Sequence, residues 1–262
     1  MTANYGNSAD MVDYQILGDD MQLVEIELDP GEGIRAEVGA MMYMDQGIEM
    51  QTSTGGMFKG FKRMLTGESF FITTFMYHGP TKGRVAFGAP YPGKIVPLDL
   101  SALGGQFYCQ KDAFLCAARG IEIEVAFTQR LGAGLFGGEG FILQRLEGIG
   151  LAFIHAGGTI IERNLLPGEI IRVDTGCLAA FAPTVDYDIK FVGGFRNALF
   201  GGEGLFLATL TGPGLVYLQS LPFSRLADRI YAASRFQRQD EHKGVAGIGG
   251  DLLGGLFGGD RS

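Results

Sequence analysis

The 262-residue sequence predicts an all-β fold: three β-sandwich-like repeats about a pseudo-threefold axis, followed by one helix and a glycine-rich tail. Three observations carry that prediction. The phrase Leu135-Phe136-Gly137-Gly138-Glu139-Gly140 returns as Leu199-Phe200-Gly201-Gly202-Glu203-Gly204, with a weaker copy at Met64-Leu65-Thr66-Gly67-Glu68-Ser69. Each copy leads into an apolar, β-prone run, and self-similarity of this kind is the signature of repeat architectures. Short runs of period-two alternation are punctuated by glycine turns, the pattern of a sandwich or barrel and not of a βαβ sheet.

The polar segment 1–13 lacks the charged and apolar regions of a signal peptide, so a cytoplasmic location is expected. Residues 14–223 read as one all-β unit of three repeats, about 21–90, 92–156 and 158–223. Upstream of the first Gly-Glu phrase stands Asp29-Pro30-Gly31-Glu32, and upstream of the third stands Leu166-Pro167-Gly168-Glu169. The middle repeat keeps the spacing around Gly104 and Gly105 but has neither the proline nor the glutamate. Gly47-Ile48-Glu49, Gly120-Ile121-Glu122 and Val185-Asp186-Tyr187 align in the same register, which also sets Gly88, His155 and Gln219 at one position.

The stretch Leu23 to Leu28 alternates as a half-buried strand does, and Ile121 to Val125 and Ile170 to Val173 continue the pattern. After Leu221 the period changes. Residues 224–238 place Leu226, Ile230 and Ala233 on one stripe, with Ser224 as N-cap and Arg235 and Arg238 near the C-terminus, so a helix is predicted. Residues 239–262 form a flexible tail with too much glycine for a stable helix, whose Leu and Phe side chains are suited to docking on a partner or a membrane.

Composition excludes several functions. A net charge of −8 argues against general nucleic-acid binding, which needs clustered Lys and Arg, so no nucleic-acid partner is expected. No apolar run is long enough for a transmembrane helix. The three cysteines, Cys109, Cys116 and Cys177, form no C-x-x-C pair and read as buried reduced thiols.

Two groups of residues are candidate sites. The glutamates of the repeated phrase, Glu68, Glu139 and Glu203, either accept local backbone N–H bonds at a bulge or converge on a shared site near the repeat axis. A phosphate-binding loop is excluded, because a carboxylate stands where a P-loop needs its lysine. The basic-aromatic loop carrying Phe58, Lys59, Phe61, Lys62 and Arg63 either touches anionic lipid, nucleic acid or an acidic protein face, or tucks its Phe side chains into the core and leaves the Lys heads in water. His78, His155 and His242 do not assemble a metal-ligand pattern, and no Ser-His-Asp or G-x-S-x-G motif is present. No catalytic, cofactor-binding or metal-binding residue is therefore assigned.

With the repeats assembled, the chain resembles the altered-inheritance-of-mitochondria twenty-four family. The resemblance rests on the two Pro-Gly-Glu turns, the Gly-Glu phrases and the segment Leu210-Thr211-Gly212-Pro213-Gly214-Leu215-Val216-Tyr217-Leu218-Gln219. It implies an all-β fold similar to the tryptophan RNA-binding attenuation protein and brings no established catalytic residues. The expectation is a non-enzymatic binding or scaffold protein without cofactors. It would recognise an unidentified protein partner or touch a membrane weakly, and a homo-oligomer is compatible with it. The alternative is a small-ligand- or metal-dependent enzyme or regulator with a site near the repeat axis.

Overall fold

Alternation in the sequence becomes alternation in burial. In β2 (Leu23–Leu28), Val24, Ile26 and Leu28 are buried while Leu23, Glu25 and Glu27 stay half-exposed. Such a strand hides one face only when a second layer covers it. The computed structural model describes residues 10–52, 72–129, 141–191 and 206–233, and they are mostly strand. Among the described residues the fold is all-β with one α-helix, near the C-terminus.

After β1 (Asp13–Leu17), the strands fall into three sets of six. The first is β2, β3 (Gly33–Glu37), β4 (Met41–Met44), β5 (Ile48–Thr52), β6 (Ile72–Tyr77) and β7 (Gly83–Gly88). The second is β8 (Gly93–Asp99), β9 (Gln106–Gln110), β10 (Phe114–Ala118), β11 (Glu122–Gln129), β12 (Phe141–Glu147) and β13 (Leu151–Gly157). The third is β14 (Ile160–Leu165), β15 (Ile170–Asp174), β16 (Leu178–Phe181), β17 (Asp186–Phe191), β18 (Phe206–Thr211) and β19 (Gly214–Gln219). Within each set the sixth strand pairs with the first and third, and the fifth with the second and fourth, always antiparallel.

Two further ladders join consecutive sets, β3 to β10 and β9 to β16. The sheets are β1-β2-β7-β4, β5-β6-β3-β10-β13-β8, β11-β12-β9-β16-β19-β14 and β15-β18-β17. What recurs is the pairing scheme and not a closed ring. A third ladder of the same kind would join β15 to β4, yet among the described residues both strands end their sheets.

The Pro-Gly-Glu turns have a direct physical explanation. Gly31 and Gly168 sit at φ of +89° and +77°, the glycine-favouring region that a proline-led turn requires at its third position. Each turn is closed twice by its glutamate. The Glu32 amide donates to the Asp29 carbonyl, and Glu32 Oε2 accepts from the Asp29 amide at 2.9 Å. Glu169 does the same with Leu166, again at 2.9 Å from amide to Oε2.

The interior is filled mainly by aromatic and branched side chains. One cluster includes Phe75, Phe87, Phe107, Phe114 and Phe153, and a second includes Phe141, Leu143, Phe181 and Val216. Each such side chain contributes about 1.5–3 kcal/mol by leaving water. Residues 223–262 form a separate unit. Its helix, α1, covers 223–233, so it starts one residue before the Ser224 cap read from the sequence, a difference within ordinary helix-end variation. Of the stripe residues, Leu226 is half-buried and Ile230 and Ala233 are exposed.

Candidate interaction surface

Every open sheet edge offers unpaired N–H and C=O groups to another chain, and folded proteins guard such edges with charge, proline or bulges. Among the described residues four sheets have eight edge strands: β1, β4, β5, β8, β11, β14, β15 and β17. Seven carry a charged residue, and β8 adds Pro97. β4, Met41-Met42-Tyr43-Met44, has neither charge nor proline. Met42 is 56% exposed, Tyr43 43% and Met44 37%.

The position of β4 explains why this exposure is unusual. The third strand of each set has the same bulge against its sixth strand, between Met41 and Tyr43, Phe114 and Cys116, and Leu178 and Ala180. Met42, Tyr43 and Met44 therefore correspond to Leu115, Cys116 and Ala117 and to Ala179, Ala180 and Phe181. Those six residues are all buried. The main chain of β4 has one side committed: the Asp45 amide donates to the Arg84 carbonyl at 2.8 Å. Amides alternate along a strand, so the neighbouring Met44 N–H and C=O face away from β7, towards the open edge.

Beside β4 the outer face of the same sheet is an ion-pair network. Lys82 Nζ lies 2.7 Å from Glu27 Oε1 and 3.2 Å from Asp13 Oδ2, and Arg84 Nη2 lies 3.1 Å from Glu27 Oε2. Hydrogen bonds from Lys82 and Arg84 hold the Glu27 carboxyl below its ordinary range. The Tyr43 hydroxyl donates to the Glu25 carboxylate, and that bond raises the phenol's pKa and fixes the ring over the sheet. Exposed pairs of this kind contribute little stability but orient side chains.

Burial shifts several titratable groups towards their uncharged forms. His155 is buried with its ring edge-on to Tyr91, centroids 4.4 Å apart, and burial lowers its pKa to about 4 against an opposing contribution from the Tyr91 main chain. Burial raises the Cys109 and Cys116 thiols well above their ordinary range. It also lifts Glu37 to about 7, with Asp112 adding to the shift and Lys111 opposing it. A groove of about 840 Å³ is lined by Lys94 and Val96 from β8, Ile160 and Glu162 from β14, Tyr217 and Leu221. Among the described residues no three His, Cys, Asp or Glu side chains group as metal ligands.

Comparison with known proteins agrees with this architecture. The family model described as mitochondrial biogenesis AIM24 matches residues 14–221. The chain belongs to that family. An uncharacterized protein of Streptococcus pyogenes serotype M6 is 31% identical to the AIM24 chain over 214 residues, covering 78% of this chain and 84% of the relative. A Streptococcus pyogenes protein solved by X-ray crystallography superposes with a TM-score of 0.70 at 27% identity, covering 85% of this chain and 99% of that one.

The sequence-predicted site residues of this AIM24 chain lie outside the described residues. Phe58, Lys59, Phe61, Lys62, Arg63 and Glu68 fall in the sequence between β5 and β6, Glu139 between β11 and β12, and Glu203 between β17 and β18. The alignment of Gly88, His155 and Gln219 reappears in the ladders: they stand opposite Leu23, Ile95 and Ile160, each in the pairing of sixth with first strand. None of the three cysteines is in a disulfide; Cys109 and Cys116 are buried and Cys177 is half-buried. No described helix is long and apolar enough to cross a membrane. Sequence reasoning did not single out β4. Its signal was present, since Met-Met-Tyr-Met is, among the described residues, the one strand without charge or proline that ends a sheet, but edge status appears only once the ladders are known.

Proposed function

We propose that the chain is a non-enzymatic binding or scaffold protein that recognises a protein partner by strand addition at β4. The observation that supports this reading is the unguarded edge itself: Met42, Tyr43 and Met44 are exposed at positions whose counterparts in the other two sets are buried. Strand addition takes affinity from main-chain hydrogen bonds and specificity from alternate side chains, and β4 offers both. Thioether and aromatic side chains suit such a surface because they adapt to the partner's shape. Affinity capture with the full chain tests the reading. Met44→Pro removes an outward-facing N–H and leaves the Asp45–Arg84 bond in place, so the wild type should retain a protein that the folded variant loses. Equal retention by both would contradict it.

A second reading, a small-ligand site, draws support from the groove between β8 and β14. Native mass spectrometry of the purified chain should then show a retained small molecule, lost in Ile160→Trp; a ligand-free wild type would remove this reading.

A further inference from the structure

Resting on the strand-addition reading, we propose that the partner at β4 is strand β15 of a second copy of this chain, added antiparallel with Arg172 opposite Met44. The two internal junctions supply the template. In each, the second strand of one set pairs with the third strand of the next: Arg35 opposite Ala117 and Ala36 opposite Cys116, then Tyr108 opposite Phe181 and Cys109 opposite Ala180. The five-rung ladders of β3 with β6, β9 with β12 and β15 with β18 place Arg35, Tyr108 and Arg172 at one position, and Ala36, Cys109 and Val173 at the next. The common bulge places Met44, Ala117 and Phe181 at one position. Transferring the register sets Arg172 against Met44 and Val173 against Tyr43.

The main-chain groups agree with that register. The Gly212 amide donates to the Glu169 carbonyl at 2.9 Å, so Glu169 faces β18 and alternation turns the Arg172 N–H and C=O outward. Met44 likewise faces outward from β4. The two residues would exchange a pair of N–H···O bonds. In the first internal junction, the Arg119 amide donates to the Gly33 carbonyl at 2.9 Å, two residues along from the Arg35–Ala117 rung in each strand.

The side chains agree as well. Arg35 Nη1 donates to the Ile121 carbonyl at 2.9 Å, crossing the first junction. Arg172 is exposed at the corresponding place on β15, and Ile48 follows Met44 at the interval at which Ile121 follows the aligned Ala117. The Arg172 guanidinium of one copy would meet the Ile48 carbonyl of the next. Ile170, 61% exposed, lies on the same strand and would be covered with Met42 and Met44.

Each copy has one β15 and one β4, so the contact is head-to-tail, and repetition either closes a ring or extends a filament. Sedimentation of the full chain over a concentration series tests this. Wild type should sediment above the monomer mass. Met44→Pro and Arg172→Pro, folded by circular dichroism, should each weaken self-association at least tenfold. Met44→Lys, which keeps the amide and charges the apolar edge, should do the same. The proline variants retain complementary edges, β15 in one and β4 in the other, so mixing them should restore a complex of two copies and no more. A wild type that is monomeric throughout overturns the proposal, as does a mixture that stays monomeric or variants that assemble like wild type. If that monomeric wild type still captures a foreign protein lost in Met44→Pro, the strand-addition reading stands and only the identity of the partner fails.

Discussion

Arg35 reaches across the junction of the first two strand sets and donates to the Ile121 carbonyl oxygen at 2.9 Å. Burial lowers the guanidinium's pKa from its ordinary value, while the nearby Glu122 charge opposes the shift. Replacing Arg35 with Met keeps the apolar stem and leaves the Ile121 carbonyl without its donor. A lost hydrogen bond to a part-buried group costs about 1–3 kcal/mol, so the urea midpoint of Arg35→Met should fall accordingly. An unchanged midpoint would show that this bond does not hold the junction.

Glu37 predicts a pH dependence with a definite sign. Its folded pKa of about 7 lies above its ordinary value, so between those two values the folded state holds more protons than the unfolded state. Stability from this group is present below the ordinary carboxylate pKa and is lost as pH rises towards 7. Glu37→Gln should therefore be more stable than wild type at pH 8, by up to about 3 kcal/mol given about 1.36 kcal/mol per pK unit. The two should converge near pH 4. Urea unfolding of both proteins across that range is the check, and a gap that does not change with pH would contradict the assignment.

Two glycines should fail for different reasons. Gly168 sits at φ +77° with open space where a Cβ would be, so Gly168→Ala is penalised only by its backbone, roughly 1–2 kcal/mol. Gly157 has no such backbone constraint, but an added Cβ would collide with the Leu221 carbonyl and come within 2.7 Å of the Tyr91 ring. Overpacking of this kind typically costs 1–3 kcal/mol. Gly168→Asn should recover part of what Gly168→Ala loses, because asparagine tolerates the left-handed region, whereas Gly157→Asn should lose more than Gly157→Ala, because every added atom enters occupied space. Thermal unfolding of the four variants separates the two mechanisms.

Thiol chemistry should sort the cysteines. Cys109 and Cys116 are fully buried, with thiol pKa values raised by burial, whereas Cys177 is half-buried. A thiol reagent at neutral pH should label Cys177 first, and the other two should react only on unfolding, because the thiolate is the reactive form. Mass mapping of the labelled native chain tests this. Early labelling of Cys116 would contradict the packing of β10.

Much of the fold was legible because its punctuation is chemical. Pro30-Gly31-Glu32 and Pro167-Gly168-Glu169 announce turns whose glycine conformation and glutamate bonds follow from residue type alone, and the register they set agrees with the strand ladders. The edge was not legible. Met41-Met42-Tyr43-Met44 reads as the same kind of apolar strand as Phe114-Leu115-Cys116-Ala117 or Leu178-Ala179-Ala180-Phe181, and only long-range pairing decides which of them is covered. The pair Tyr91 and His155 was invisible for the same reason, since it joins the bend before β8 to strand β13, distant in sequence. The basic-aromatic loop and the three glutamates of the repeated phrase lie outside the described residues, so the candidate surface rests on strand edges instead.

The central claim is that β4 is covered by an added strand, and hydrogen–deuterium exchange of the peptide spanning Met41 to Met44 tests it most directly. The Met44 amide faces the open edge, so its exchange should slow as protein concentration rises, and Met44→Lys should remove that dependence. Fast exchange at every concentration, identical in wild type and variant, would contradict the account.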